Sequence, residues 1–68
     1  PASHQLRITS DGTMEDITIL AADGREVMRR SVRASNTTMD VSWLRAGSYF
    51  LIATMTSGSI VRERWIKH

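Results

Sequence analysis

Residues 17–27 have the sequence ITILAADGREV, and this stretch decides the fold class. Ile17 and Ile19 lie on one side of an extended chain, together with Ala21, and such β-branched alternation favours a strand. The Asp23-Gly24 dipeptide that follows is typical of a tight turn with positive φ. The stretch therefore predicts a β-hairpin with strands near residues 16–22 and 25–32.

Three more turn signals that contain glycine divide the rest of the chain: Asp11-Gly12, Ala46-Gly47 and Ser57-Gly58. Short alternating segments lie between them, at residues 5–9, 39–41, 49–55 and 60–66. Residues 49–55 are apolar on both faces, which predicts a central strand. Short strands between such turns predict a small sandwich or barrel. A helix over residues 25–34 remains the alternative, since Arg, Glu and Met favour helices.

The composition indicates a small globular protein without a covalent staple. The chain has 68 residues and no cysteine, so we expect one domain, 1–68, without a disulfide or a thiolate metal site. Nine Lys and Arg against seven Asp and Glu give a net charge of +2, too mild an excess for a nucleic-acid binder. The longest apolar run, Tyr49 to Ala53, is too short to span a bilayer. Residues 1–4 do not resemble a signal peptide, so the chain is either cytosolic or exported by a signal further upstream.

Catalytic chemistry has little support in the sequence. Both histidines, His4 and His68, lie close to a chain end, where a metal or acid–base site is improbable. Glu15 and Asp16 are adjacent and would point to opposite faces of a strand. The four glycines are isolated, so no phosphate-binding loop is present. We therefore expect no enzyme activity and no cofactor.

Basic residues form two clusters, Arg29, Arg30 and Arg33 in the first and Arg62, Arg64 and Lys67 in the second. We interpret the first cluster as a solvated strand face that keeps a sheet edge from pairing. For the second cluster, a solvated face and a docking site for an anionic partner both remain open. Trp43 and Trp65 are interpreted as core or edge-packing residues rather than ligand platforms.

Three motifs in this order resemble a known family. The first is the strand and Asp-Gly turn of residues 17–27, and the second is residues 38–51, TMDVSWLRAGSYFL. The third is a glycine turn followed by a basic strand that ends in Trp65-Ile66-Lys67. Together they resemble the C-terminal sorting domain of proteins exported by the type IX secretion system of Bacteroidetes, and the opening residues 1–8 resemble that family as well.

Two positions depart from the family pattern. Arg45 stands where the family often has proline, and His68 follows the usual terminal lysine. An edge strand upstream of Pro1 is also expected to be missing. An open sheet edge of that kind invites pairing, so a domain-swapped or strand-paired dimer is one expectation.

The resemblance implies an all-β fold, a small immunoglobulin-like antiparallel β-sandwich at the end of a larger cargo protein. It also implies export through the periplasm to the outer-membrane surface or the extracellular space. The implied partners are the outer-membrane translocon, a shuttle protein, a sortase-like peptidase and the upstream cargo domain.

The resemblance also divides the motif residues by role. The terminal strand is expected to be the element that the machinery recognises, through Arg62, Arg64, Trp65, Ile66 and Lys67. The other motif residues are expected to be structural: Gly24 and Gly47 permit turns, and Leu44, Tyr49 and Leu51 pack in the core.

Two other function classes remain as alternatives. One is an accessory β-sandwich of a secreted enzyme or machinery component that binds carbohydrate or protein, and the other is a small basic barrel that binds nucleic acid. Carbohydrate binding would need an exposed aromatic platform, and the aromatic side chains are expected to lie mostly inside. A barrel that binds single-stranded nucleic acid would need aromatic side chains among the basic ones on one sheet face. Arg62, Arg64 and Ile66 are expected to share a face without an aromatic side chain.

Overall fold

The computed structural model describes residues 5–68, which form four strands. The strands are β1 (Gln5–Ala21), β2 (Glu26–Asp40), β3 (Gly47–Met55) and β4 (Ile60–Lys67). All neighbours are antiparallel and the sheet order is β2-β1-β3-β4. The all-β prediction is confirmed, as is the central position of β3. The helical alternative for residues 25–34 is wrong, because this segment pairs along β1 and tertiary pairing overrides its helix propensity.

The β1–β2 hairpin forms where the sequence predicts it. Ile19 pairs with Met28 across the two strands. In the turn, Gly24 has φ 91°, a left-handed conformation that side chains with a Cβ adopt only with strain. The N–H of Arg25 donates to Asp23 Oδ1 at 2.9 Å, and this bond fixes the turn.

The Asp11-Gly12 dipeptide does not separate two strands, contrary to the sequence prediction. Strand β1 runs through it, but its register with β2 shifts between Thr9 and Met14. Thr9 pairs with Asn36 and Met14 with Ala34, so five steps along β1 match two along β2 and three residues bulge out. The segment around Met39 is likewise the end of β2 and not a separate strand.

The bulge bends the single four-stranded sheet, and this all-β architecture is consistent with an immunoglobulin-like fold. Bulges bend a strand and increase its twist, and Arg33 on β2 has φ 54° close to the same place. The first part of β1, with Leu6 and Ile8, thereby packs against the core formed by the rest of the sheet. A cavity of about 110 Å³ lies in this region, lined by Ile8 of β1, Leu51 of β3 and Val61 of β4.

The core follows the alternation of the strands. Its buried residues are Met14, Ile17, Ile19, Met39, Val41, Leu44 and Tyr49. Ile17 and Ile19 are fully buried, because β1 has a neighbouring strand on each side and partly buried side chains such as Ile8 pack against this core. Trp65 of β4 packs against the edge of this core.

Candidate recognition surface on the terminal strand

Strand β4 is an edge of the sheet. It pairs with β3 from Ile60 opposite Thr54 to Lys67 opposite Gly47. In residues 5–68 no strand lies on its other side. The outward N–H and C=O groups of β4 are therefore accessible to another chain, as they are at any uncovered edge.

The two faces of β4 differ in their surroundings. The inner face, which turns toward the core, carries Val61, Glu63, Trp65 and Lys67. The outer face carries Ile60, Arg62, Arg64 and Ile66. On the inner face Trp65 lies opposite Tyr49, with ring centroids 5.4 Å apart and planes tilted by 35°. Such an aromatic pair contributes more stability than the burial of its apolar area alone would give.

Lys67 ties the end of β4 to the loop between β2 and β3. Its Nζ donates to the backbone oxygen of Leu44 and, at 3.4 Å, to that of Ser42. A charged donor to a partly buried carbonyl is a comparatively strong hydrogen bond. Of the five residues predicted for recognition, Lys67 and Trp65 thus make contacts within the chain.

The motif Leu44-x-x-Gly47-x-Tyr49 builds the loop that Lys67 reaches. Leu44 is buried, and its N–H donates to the oxygen of Val41 at 3.0 Å. Gly47 begins β3 with φ 152°, and two residues later the Tyr49 hydroxyl donates to the Arg45 oxygen at 2.7 Å. A tyrosine hydroxyl that donates to a backbone oxygen a few residues upstream also defines the tyrosine corner of immunoglobulin-like sandwiches.

The other three predicted recognition residues face outward. Arg62 and Arg64 are exposed, and Ile66 is 50% exposed. Arg62 lies opposite Ile52 and Arg64 opposite Phe50 on β3. The expectation that no aromatic shares their face is wrong, because it considered β4 alone and the aromatic comes from the neighbouring strand.

The guanidinium groups of Arg62 and Arg64 have no partner among the described residues. The salt bridge within residues 5–68 joins Arg29 to Glu26 at 3.5 Å. Both residues lie on β2, at the opposite edge of the sheet. Leu20, Phe50 and Ile52 form the surface beside the two arginines and, together with Arg62, line a shallow hollow of about 200 Å³. The outer face thus offers two unpaired cations next to half-buried apolar side chains.

Trp43 lies outside the buried core and lines a hollow with Val27, Leu44 and Tyr49, which agrees with the edge-packing alternative of the sequence interpretation. It is 56% exposed, and its Nε1 donates to the backbone oxygen of Asp40 at 3.2 Å. The first basic cluster lies on edge strand β2, where Arg29 Nε donates to Thr18 Oγ1 at 3.4 Å.

Residues 5–68 contain no group of three or more His, Asp or Glu side chains placed to hold a metal ion. His4 lies outside the described residues, and His68 is exposed. The described part of the chain also has no helix of the length and apolarity that crossing a membrane requires.

Comparisons with known proteins agree with this architecture. The solved structure of CopC from Methylosinus trichosporium OB3b is similar in fold, with a TM-score of 0.56 and 22% identity over 93% of this chain and 72% of that chain. No curated protein sequence matches the chain. The family model described as "secretion system C-terminal sorting domain" matches residues 1–68, the whole chain. Membership of that family implies interaction with the type IX secretion machinery and a destination at the cell surface or outside the cell. The chain therefore belongs to the C-terminal sorting domains of the type IX secretion system, and its function is that of a sorting signal.

Proposed function

We propose that residues 1–68 act as one folded handle for an upstream cargo, and that the secretion machinery recognises this handle at β4. In this proposal the cargo crosses the periplasm with the handle attached. The handle then engages a shuttle protein and the outer-membrane translocon, and a sortase-like peptidase processes it at the surface. The sorting role itself is binding rather than catalysis.

The observation that carries the proposal is the position of β4 as an uncovered edge with two unpaired arginines. A partner can recognise an edge strand by adding an extended segment of its own to the sheet. Main-chain hydrogen bonds then supply affinity, and side chains supply specificity. This mode suits a signal that is shared by many cargoes, because it depends on the handle's own backbone and not on the cargo.

We further propose a division of labour along β4. Trp65 and Lys67 hold the strand in place through Tyr49 and Leu44. Arg62, Arg64 and Ile66 are exposed and contact the partner. Alternation in a strand allows both roles at once, since neighbouring side chains point to opposite faces.

The same edge is poorly suited to a strand-paired dimer. Antiparallel pairing of two β4 strands centred on Glu63 would set Arg62 opposite Arg64 of the second copy, and like charges directly opposite are destabilising. Glu63 also places a charge on the inner face of an edge strand, a device that discourages edge-to-edge pairing. We propose that the free domain is monomeric. The variant Glu63→Val should then increase self-association in analytical ultracentrifugation, and a wild-type domain that sediments as a dimer would contradict this proposal.

The experiment that tests the handle is surface export of a fluorescent reporter fused upstream of the domain in a type IX host. Deleting residues 66–68 should block export, but this deletion also removes the bonds of Lys67 and so perturbs the fold. The sharper variant is Arg62→Glu with Arg64→Glu, which leaves the internal contacts of β4 intact. We expect it to reduce surface reporter at least about ten-fold, since two favourable charge contacts become repulsive.

The matched control is Arg30→Glu with Arg33→Glu, which makes the same change of charge on edge strand β2. This control should export normally. Circular dichroism of the purified variants confirms that each is folded. Normal export of the variant at positions 62 and 64 would overturn the proposal, as would an equal loss in the control.

A further inference from the structure

The charge pattern of β4 has mirror symmetry along the strand. Residues 61–65 are Val, Arg, Glu, Arg and Trp, so Glu63 is flanked by two cations and then by two apolar residues. Arg62 and Arg64 share the outer face, and the other three share the inner face. Val61 is 44% exposed, although it lies on the inner face.

These three charges are not neutralised by the strand on which β4 rests. Arg62 and Arg64 lie opposite Ile52 and Phe50, and Glu63 lies opposite Leu51. None of the three takes part in a salt bridge within residues 5–68. A strand that pairs with the open edge of β4 is in a position to supply side-chain charges that complement them.

A strand added to β4 would place one residue directly opposite each of these positions. Directly opposite side chains lie about 4.5–5.5 Å apart at Cβ, and opposite charges there are stabilising. Two carboxylates in positions i and i+2 would face Arg62 and Arg64. A basic or polar residue at i+1 would face Glu63, and apolar residues on either side would face Val61 and Trp65.

We infer that the partner of β4 is an extended protein segment of the pattern apolar–acidic–basic or polar–acidic–apolar. The inference rests on the proposed function, because it specifies the chemistry of the segment that the handle engages. Since the pattern on β4 is symmetric about Glu63, the same partner sequence fits in the parallel and in the antiparallel direction. The unpaired arginines at positions 62 and 64 then explain why the edge selects an acidic strand and not another copy of itself.

The test is an NMR titration of the isotope-labelled 68-residue protein with two synthetic peptides. The probe has the sequence Thr-Thr-Val-Glu-Lys-Glu-Phe-Thr-Thr, and the control exchanges its charges, giving Thr-Thr-Val-Lys-Glu-Lys-Phe-Thr-Thr. We expect the probe to shift the amide signals of residues 60–67 and to bind at least about ten-fold more tightly than the control. The double variant Arg62→Glu with Arg64→Glu should reverse this preference, whereas Arg30→Glu with Arg33→Glu should preserve it.

Three results would overturn the inference: equal affinity for the two peptides, shifts located on β2, or no binding of either peptide at millimolar concentration. A further arm uses vesicles that contain phosphatidylglycerol. Binding to these vesicles that depends on Arg62 and Arg64, without a preference between peptides, would assign the arginines to a membrane surface and overturn the inference as well.

The outcomes separate this inference from the proposed handle. If both peptides bind β4 equally while export still requires Arg62 and Arg64, the handle stands and the charge pattern is wrong. If the double variant reverses the peptide preference but exports its reporter normally, the pattern stands and the handle is wrong.

Discussion

Replacing Lys67 with methionine should loosen the end of β4 without changing the outer face that is proposed to meet the partner. Lys67→Met keeps the aliphatic stem but removes the donor to the Leu44 and Ser42 oxygens. The bond to Ser42 is 3.4 Å long and exposed, so we assign it no contribution. The bond to Leu44 joins a charged donor to a partly buried acceptor, a class that contributes about 1.5–3 kcal/mol.

Partial exposure of Lys67 lowers that contribution, because water competes for the ammonium and screens its charge. We therefore expect a loss of about 1 kcal/mol in the free energy of unfolding. For a domain of this size that corresponds to a decrease in Tm of about 4–8 °C. The measurement is thermal unfolding followed by circular dichroism, together with amide hydrogen exchange in the loop of residues 42–45.

The matched control is Arg62→Met, which removes one charge from the same strand but no internal hydrogen bond. Its Tm should stay close to the wild-type value, as is usual for exposed substitutions. Equal Tm values for Lys67→Met and Arg62→Met would refute the reasoning, because the bond to Leu44 would then contribute nothing.

Three further predictions concern residues outside β4 that stabilise the domain. Ile17→Val removes one methylene from a fully buried side chain and should lower the free energy of unfolding by about 1 kcal/mol. The control Ile60→Val, at a position that is 66% exposed, should change it by less than about 0.5 kcal/mol; equal urea midpoints would contradict the position of Ile17 in the core. Tyr49→Phe removes the hydroxyl bonded to Arg45 and should cost about 1 kcal/mol in urea unfolding at an unchanged m-value, and an unshifted midpoint would show that this bond is not stabilising. Gly24→Ala forces a Cβ into a turn residue with φ 91° and should cost about 1–2 kcal/mol in thermal unfolding; an unchanged Tm would mean that the turn relaxes to another conformation.

Local signals in the sequence predict much of the fold. The hairpin around Gly24, the turn at Ser57-Gly58 and the central position of β3 all follow from turn residues and alternation. The bulge at Asp11-Gly12 does not follow, since the residues that favour a turn between strands also favour a bulge within one. Only the pairing of Thr9 and Met14 with β2 distinguishes the two.

The strand that carries the second basic cluster is predictable from the sequence, but the surroundings of that cluster are not. The sequence places the basic residues on the last strand, yet it does not give the register with β3. That register puts Phe50 beside Arg64. It also turns Lys67 toward the loop, where its Nζ donates a hydrogen bond to the backbone oxygen of Leu44. Both facts depend on contacts between segments far apart in the chain, which local patterns cannot encode.

The bulge within the β1–β2 pair has a consequence for how the domain unfolds. The same two strands pair on both sides of the bulge, so we expect the two parts of the sheet to unfold together. We expect unfolding to be all-or-none, with amides on both sides of the bulge exchanging through one global opening. A destabilised copy would then lose the edge strand β4 together with the rest of the sheet and would not keep a partly folded sorting domain.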